Sequence, residues 1–358
     1  MIFATKSTRT RKGNEKSVKD GLKFADLFCG VGGFRLGMES AGFECVFSCD
    51  VNAECRRTYE ANFGDEPDGD VRAVDPTKIS DFDVLCAGFP CQPFSVSGKQ
   101  MGFADPRGTL FFEILRFADA KKPKVLFLEN VKNLTTHDNG RTFATIVGSL
   151  EARGYEVRSK VLNATEFGIP QNRERIVIVA TRGKPFDFDS LRRTPAPPLF
   201  EFIDEDGTFE RLDPSEYVLL ENPTRQKSGL IFAGYRKKNM RRNGTRPDAT
   251  NLSRNHRQPN RIYSVEGVHP TLTSQETSGR FFVLERGGTV RKLTLDECWR
   301  LMGFPDGFAR PSPASEQYRQ VGNSICVPMV REVAKRLADE ASKSRGLAET
   351  SERKGEQS

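Results

Sequence analysis

The chain has 358 residues, of which 37% are hydrophobic and 29% charged, and its formal net charge is +7. This composition is ordinary for a globular protein with a sizeable core, and no run of residues approaches the roughly 18 uncharged apolar residues of a membrane span. The basic excess favours a polyanionic partner such as DNA or RNA, although a merely basic globular protein would show the same charge.

Both ends of the chain are polar. Residues 1–20 have no apolar stretch after their basic residues, so we expect a disordered basic arm there rather than a secretory signal. Residues 346–358 are predicted to form a disordered tail. We therefore expect a cytoplasmic protein.

The eight cysteines include no CxxC pair, and the three histidines stand far from them in the sequence. This spacing argues against a zinc site, and a cytoplasmic chain of this length does not need a disulfide framework. We expect no metal, and we expect most of the thiols to be small core residues.

Short apolar runs alternate with helical patterns up to about residue 180. The predicted strands are residues 23–28, 45–50, 82–89, 123–130 and 175–182. The predicted helices are residues 33–42, 53–64 and 142–154. This alternation predicts an α/β fold with a parallel, doubly wound sheet, in which ligands bind beyond the carboxyl ends of the strands.

The composition changes after about residue 185, where a proline-rich stretch leads into a segment rich in Arg, Lys, Asn and Gly. We predict a smaller domain at residues 200–293, inserted into a larger domain that comprises residues 21–199 and 294–345. Helical patterning resumes after residue 291, and residues 327–343 are predicted to form a helix that can pack back on the larger domain.

The stretch DLFCGVGGF, residues 26–34, places a glycine-rich turn between a predicted strand and a predicted helix. Glycines let a ligand approach the backbone, but the spacing departs from the GxGxxG dinucleotide pattern. Asp50, after the second strand, is placed to bond ribose hydroxyls, and Asp70 is expected to end a third strand and reach an adenine. The alternative for each acid is a helix cap or a turn residue.

The stretch GFPCQPFS puts Cys91 in a proline-stiffened loop directly after an apolar strand. A thiol at the carboxyl edge of a sheet, near cationic side chains or free amides, is suited to be a nucleophile. The alternative is a packed loop cysteine, and Cys86, inside the apolar run, is assigned to the core. Residues 92–110, with their spaced glycines, are predicted to form a mobile lid.

Two further motifs point into the same crevice. Glu129 ends the apolar run PKVLFLE, where burial would raise its pKa toward a useful range, although a salt-bridged acid at a strand end is about as plausible. Arg173 and Arg175 stand two residues apart before a strand, so we expect both guanidinium groups on one side, unless they form an ordinary surface pair. The stretch QVGNSICVP reads by itself as a Gly-Asn turn before a helix.

These motifs, in this order, resemble the cytosine-5 DNA methyltransferases of the bacterial restriction–modification type. The resemblance covers residues 21–182 and 291–341, and it includes LCAGFPCQPFSVSGKQMGFADPRGTLFFEI, NATEFGIPQNRERI and RKLTLDECWRLMGFPD. It implies a Rossmann-like, S-adenosylmethionine-dependent methyltransferase fold with a second, smaller DNA-recognition domain. Six motifs in the correct order make chance similarity very improbable.

The resemblance also implies roles for the catalytic residues. Cys91 would attack C6 of a cytosine, Glu129 would hold N3 and the amino group, and Arg175 would contact the base carbonyl. Arg173 would orient the site and the backbone. The base would first have to leave the DNA stack, because a thiol cannot reach C6 inside it. After the attack, C5 would receive the methyl group of S-adenosylmethionine, and loss of the C5 proton with release of Cys91 would complete the cycle.

The remaining matches fall on the cofactor and on the DNA. The expected cofactor-binding residues are Phe28, Gly30, Gly32, Gly33, Asp50, Val51, Asp70, Val71, Pro90, Leu110 and Asn323. Val51 stands where the family often has an aromatic residue, so the adenine packing is expected to differ. The expected DNA-binding residues are Ser97, Arg107, Arg257, Gln258, Arg261, Thr271 and Thr273. Arginine and glutamine side chains form bidentate contacts with bases, although most contacts of this kind reach only phosphates.

Three other functions compete with DNA methylation as interpretations of this sequence. An RNA methyltransferase of the same superfamily shares the chemistry, but the Cys-Phe-Thr signature of the transfer-RNA branch does not occur here. A non-catalytic DNA binder predicts the loss of Cys91 or Glu129, and both are present. An NAD-linked oxidoreductase leaves these residues without a role. We expect a monomer that acts on double-stranded DNA, with a restriction endonuclease as a possible partner at the same site.

Overall fold

Strands and helices alternate through the first half of the chain, as the apolar runs predict. The computed structural model describes residues 21–89, 110–237 and 252–355, with side chains up to residue 343. The strands are β1 (Lys23–Leu27), β2 (Glu44–Cys49), β3 (Val84–Gly88), β4 (Val125–Val131), β5 (Glu156–Asn163), β6 (Gln171–Asn172), β7 (Glu174–Thr181), β8 (Tyr217–Leu219), β9 (Phe232–Arg236), β10 (Arg261–Ser264), β11 (His269–Pro270), β12 (Phe282–Leu284) and β13 (Val290–Lys292). The helices are α1 (Gly33–Glu39), α2 (Ala53–Phe63), α3 (Leu110–Lys121), α4 (Arg141–Glu151), α5 (Leu295–Arg300), α6 (Ala314–Asn323) and α7 (Val327–Gly355).

The first sheet has six strands in the order β2-β1-β3-β4-β7-β5. Strands β2, β1, β3 and β4 are parallel, as expected, but β7 runs antiparallel to both of its neighbours. The reason lies in the connection that precedes β7. Only residues 164–173 separate it from β5, and this is too short for the helical crossover that usually joins parallel neighbours.

Helices cover both faces of this sheet, because its central strands are apolar on both sides. One core packs Phe34 and Met38 of α1 and Val330 of α7 against Phe24 and Phe127 of the sheet. The other core packs α3 and α4 against the opposite face of the same strands. The result is a three-layer α/β architecture, with the carboxyl ends of β1 to β4 at one edge.

The third strand expected to end at Asp70 does not form. A single parallel bridge joins Asp68 to Cys49, and Asp70 instead caps a short 3-10 helix, Val71–Ala73. The sequence of residues 65–70 explains this, since DEPDGD consists of acids, proline and glycine, which disfavour strands. Asp70 therefore takes the capping role that was its alternative.

A second, five-stranded sheet is formed within residues 217–292, in the order β13-β12-β10-β9-β8. It has a small apolar core of its own, which includes Ala233, Ile262 and Phe282. A further cluster around Trp299 and Val283 joins this sheet to α5 and α6. The two sheets are thus linked by packed side chains.

Two local expectations differ from the structure at the C-terminal end. Helix α7 extends to Gly355 and so covers most of the segment 346–358 that was expected to be disordered. Gly322 and Asn323 end helix α6 and do not form a separate turn before a helix. In the part of the chain that the structure describes, no helix is long and apolar enough to cross a membrane.

Candidate active site

The glycine-rich turn after β1 is built from unusual backbone conformations. Phe28, Gly30 and Gly32 all have positive φ angles, of 58°, 55° and 92°. A side chain at Gly32 would collide with the Phe63 ring at 2.3 Å, and one at Gly33 would collide with Ile325 at 2.8 Å. Packing therefore requires these two glycines. Gly30 differs, because a Cβ there would meet no atom of the described structure within 4 Å, and its open side is a place where a ligand can approach.

Asp50 stands directly after β2 and faces this turn. The Gly30 amide donates to Asp50 Oδ2 at 2.9 Å, and the Asn52 amide donates to Oδ1 at 2.8 Å. Burial raises the pKa of Asp50, and these two amides oppose the rise. Each oxygen retains a lone pair that can accept from a ribose hydroxyl. Val51 beside it is 73% exposed, so an apolar side chain lies open next to the acceptors.

The other expected cofactor residues lie in different settings. The Arg72 Nε donates to both Asp70 oxygens, at 2.9 and 3.0 Å, and this pairing lowers the pKa of Asp70. Val71 is buried in the core beneath α3. Leu110 is half-buried at the start of α3, and Asn323 is exposed at the end of α6. Pro90 lies outside the described residues.

Glu129 and Arg175 form a buried ion pair at the carboxyl end of β4. Arg175 Nε lies 3.0 Å from Glu129 Oε1, and the side chains are 11% and 12% exposed. Burial raises the pKa of Glu129, while the positive charges of Arg175 and Arg173 oppose the rise. This carboxyl therefore holds a proton more readily than an ordinary glutamate, although a cation touches it.

The last described residues before Cys91 lie beside this pair. Gly88 pairs with Glu129 across β3 and β4, and a Cβ at Gly88 would lie 3.6 Å from Glu129 Oε2. Asn130, which is buried, donates through Nδ2 to the carbonyl oxygen of Phe89 at 2.8 Å. Cys91 itself and residues 92–109 of the expected lid lie outside the described residues, whereas Leu110, the last residue of that lid, begins α3. Gly88, two residues before the first residue that is not described, thus lies next to the Glu129 carboxylate.

Burial disfavours the thiolate form of every described cysteine. All of them are free thiols, and burial raises the pKa of each; they are Cys29, Cys45, Cys49, Cys55, Cys86, Cys298 and Cys326. Cys86, expected in the core, is fully buried there. Reactivity requires the thiolate, which a raised pKa disfavours. Across the described ranges, no group of three or more His, Cys, Asp or Glu could hold a metal ion.

Arg173 does not share the position of Arg175. It is 1% exposed, and its guanidinium donates to the carbonyl oxygens of Leu272 at 3.0 Å, Gly322 at 2.9 Å and Ser324 at 2.6 Å. Burial and the nearby charge of Arg175 lower the pKa of Arg173, whereas the three carbonyls stabilise its charged form. The two arginines were expected to face the crevice together. Arg175 lies beside Glu129, whereas Arg173 binds backbone carbonyl oxygens.

The expected DNA-reading residues differ in how free they are. Arg257 is exposed. Arg261 donates to Gln258 Oε1 at 2.9 Å and to the carbonyl oxygen of His256 at 3.0 Å, so both residues of this pair are engaged within the protein. Thr271 Oγ1 donates to the Asn172 carbonyl oxygen at 2.7 Å, and Thr273 is half-buried. Ser97 and Arg107 lie outside the described residues.

Two polar side chains at this site were missed in the sequence. Asn130 was visible in the ENV triplet, where only the glutamate received a role. Gln171 opens the QNRER stretch and is fully buried, with hydrogen bonds to two distant segments. Both could have been found from the sequence, because Asn130 follows Glu129 and Gln171 lies two residues before Arg173. A polar side chain beside a buried strand needs hydrogen-bond partners.

The chain is similar to known proteins over most of its length. The profile of the C-5 cytosine-specific DNA methylase family matches residues 22–339. The chain is 40% identical over 331 residues to the Type II methyltransferase M.HhaI of Haemophilus parahaemolyticus. This alignment covers 88% of this chain and 93% of that protein. It is 42% identical over 321 residues to the Type II methyltransferase M.HaeII of Haemophilus aegyptius, covering 87% and 91%.

Solved structures share the fold at low sequence identity. A mutant of Spodoptera frugiperda DNMT2 aligns with a TM-score of 0.62 at 17% identity, over 88% of this chain and 99% of that one. The Entamoeba histolytica methyltransferase EhMeth aligns with a TM-score of 0.63 at 18% identity, over 89% and 98%. Because the family profile and the bacterial relatives span nearly the whole chain, the chain belongs to the C-5 cytosine-specific DNA methylase family and is a DNA cytosine-5 methyltransferase of the type II restriction–modification kind.

Proposed function

We propose that this methyltransferase acts on a cytosine rotated out of the duplex and that Cys91 attacks C6 of that base. The observation that carries the proposal is the Glu129–Arg175 pair opposite Gly88, at the point where the chain enters the Cys91 segment. Cys91 is also the cysteine that remains once the seven described thiols, whose pKa values are all raised by burial, are set aside. Inside a stacked duplex C6 cannot be reached, which is why the base has to leave the stack.

Glu129 and Arg175 divide the recognition of the base between them. Thiolate attack at C6 pushes negative charge onto the ring, toward N3 and the carbonyl oxygen. A glutamate whose pKa is raised by burial can donate a proton at N3, and Arg175 can bond the carbonyl oxygen. Arg173 holds the surrounding backbone and does not touch the base.

The turn after β1 fits S-adenosylmethionine as the methyl donor. Asp50 would bond the ribose hydroxyls, the open side of Gly30 would admit the ligand, and the exposed Val51 would pack against the adenine. Asp70 would reach the adenine while its carboxylate stays paired with Arg72. Phe28, Leu110 and Asn323 would complete the enclosure. When bound, the cofactor supplies an electrophilic methyl group for C5 of the base.

The second sheet and the segments beside it are proposed to read the DNA. Arg257 is placed to reach bases or phosphates because it is exposed, whereas Arg261 and Gln258 would first have to give up their mutual hydrogen bond. Thr271 and Thr273 are proposed to contact the DNA backbone. We propose a cytoplasmic monomer that modifies one short sequence and protects it from a partner restriction endonuclease.

The test is transfer of label from S-adenosylmethionine to unmethylated genomic DNA, followed by bisulfite sequencing. We expect methylcytosine at one short recurring motif. Cys91→Ser should reduce transfer below detection while leaving cofactor affinity unchanged, and Cys86→Ala, which removes a core thiol, should retain the activity. Full turnover by Cys91→Ser would overturn the proposed mechanism, and label found only in RNA would overturn the proposed substrate.

A further inference from the structure

The main chain of Leu272 is held on both sides by side chains from one short segment. Its amide donates to Gln171 Oε1 at 3.0 Å, and its carbonyl oxygen accepts from Arg173 Nη1 at 3.0 Å. These contacts join residues 101 and 99 positions apart in the sequence. Leu272 lies between Thr271 and Thr273, so whatever fixes its peptide also fixes the two threonines.

The other end of the Gln171 amide holds a third segment. Its Nε2 donates to the carbonyl oxygen of Leu301 at 2.7 Å, and the sulfur of Met302 lies 3.4 Å away. Gln171 is 0% exposed, so water cannot replace either bond. The side-chain oxygen of Gln171 accepts from the Leu272 amide, and its side-chain nitrogen donates to the Leu301 carbonyl oxygen. A glutamine can make both bonds, whereas a hydrophobic or charged side chain cannot.

The backbone around Leu272 is confined from a second direction. Strand β6, which contains Gln171, pairs with β11 just before Thr271. A Cβ at Gly322 of α6 would lie 2.1 Å from the Ser274 amide nitrogen, so the two backbones touch directly. Residues 271–274 are thus packed between β6 and α6, with little room for adjustment.

We propose that Gln171 is a positioning residue. It fixes the main chain of Leu272 and so holds Thr271 and Thr273 where they can contact the DNA backbone. The proposal rests on the DNA-contacting role of these threonines proposed above. Gln171 acts through Leu272 and touches neither DNA nor cofactor. Arg173 joins the carbonyl oxygen of the same residue to the carbonyl oxygens of Gly322 and Ser324, which flank Asn323. It thereby ties the segment proposed to meet DNA to the proposed cofactor side.

The test compares Gln171→Met with Gln320→Met. Gln320 is also a buried glutamine, 3% exposed, but it bonds the Glu54 carbonyl oxygen and the side chains of Thr58 and Ser312 on the α2 side. Both variants should lower the melting temperature. Gln171→Met should raise the Kd and KM for duplex DNA about tenfold, with the KM for S-adenosylmethionine changed less than twofold. Gln320→Met should leave the Kd for DNA unchanged.

Gln171→Glu provides a second, folded-state measurement. A protonated glutamic acid can donate to Leu301 and accept from Leu272 as glutamine does, whereas the ionised form turns an acceptor toward the Leu301 carbonyl. Burial at this position, which is 0% exposed, raises the pKa of a carboxyl. The affinity of this variant for DNA, relative to the wild type, should therefore recover as the pH is lowered from about 8 to about 5.5.

Three results overturn the proposal: an unchanged Kd for DNA in Gln171→Met, a parallel loss of DNA and cofactor affinity, or no recovery of Gln171→Glu at low pH. A separate variant tests the underlying role of the threonines. If Thr273→Val leaves the Kd for DNA unchanged, the proposed DNA contact is wrong. If Thr273→Val weakens binding and Gln171→Met does not, the positioning role is wrong and the contact stands.

Discussion

Glu129 meets two opposing influences at the end of β4, since burial raises its pKa and Arg175 opposes the rise. We predict that Glu129→Gln lowers kcat by about 10²- to 10³-fold, because the amide cannot donate a proton at N3, and that the Kd for DNA changes less than threefold. Single-turnover methylation and equilibrium binding on the same duplex give both values.

The matched control is Glu174→Gln. Glu174 is half-exposed on the neighbouring strand β7 and pairs with Lys132 at 2.9 Å, so it offers the same chemical change outside the crevice. It should leave kcat nearly unchanged. A Glu129→Gln variant that loses affinity and rate in proportion would show that Glu129 contributes binding only.

Asp26, in the centre of β1, is 0% exposed, and within the described residues neither of its carboxylate oxygens has a hydrogen-bond partner. Burial raises the pKa of Asp26 well above its usual range, Asp50 adds to the rise, and Arg35 opposes it. The charged form therefore destabilises the fold. We predict that Asp26→Asn raises the melting temperature by about 2–4 °C at pH 8.

The pH dependence follows from the direction of that shift. Folding favours the protonated carboxyl, so its contribution to stability is fully present below the unfolded pKa of about 4 and falls as the pH rises toward the folded pKa. The advantage of Asp26→Asn over the wild type should therefore be smaller at pH 5 than at pH 8. Thermal unfolding at both values measures it, and an advantage that shrinks with rising pH would contradict the assignment.

At the scale of elements, helix α1 approaches α7 through a glycine. A Cβ at Gly37 would lie 2.4 Å from Val330 Cγ1 and 3.0 Å from the Arg331 amide nitrogen. We predict that Gly37→Ala destabilises the protein by about 1–3 kcal/mol, because α1 and α7 would have to separate above the sheet. Denaturant unfolding measures the change in free energy.

Gly148 is the control for this substitution, since it lies within α4 and a Cβ there would meet nothing within 4 Å. Gly148→Ala should stabilise the protein by about 0.5–1 kcal/mol, through helix propensity alone. Equal effects of the two substitutions would mean that the contact between α1 and α7 is looser than the structure shows.

At the scale of the whole molecule, the net charge of +7 makes DNA binding depend on counterion release. We predict that the affinity for duplex DNA falls at least about 100-fold between 50 and 200 mM salt, with a linear dependence of log Kd on log salt concentration. Titrations at several salt concentrations measure the slope. An affinity that is independent of salt would be incompatible with phosphate contacts by the basic surface.

The sequence by itself determined the family and most of the α/β order. The glycine-rich turn, the Glu129 strand end and the helical runs are recognisable because strand and helix patterns are local, with periods of two and of about 3.6 residues. Strand β5 was missed because EVRSKVLN is polar on its exposed face and has no continuous apolar run. Residue roles in catalysis, by contrast, remain predictions.

The tertiary structure decided what depends on residues far apart in the chain. It set the direction of β7 against β4, and it left Asp26 buried without a partner among the described residues. It also separated Arg173 from Arg175, through hydrogen bonds that span 99 to 151 positions. No local pattern encodes such contacts, because they exist only once the sheet, α6 and residues 271–274 have packed together.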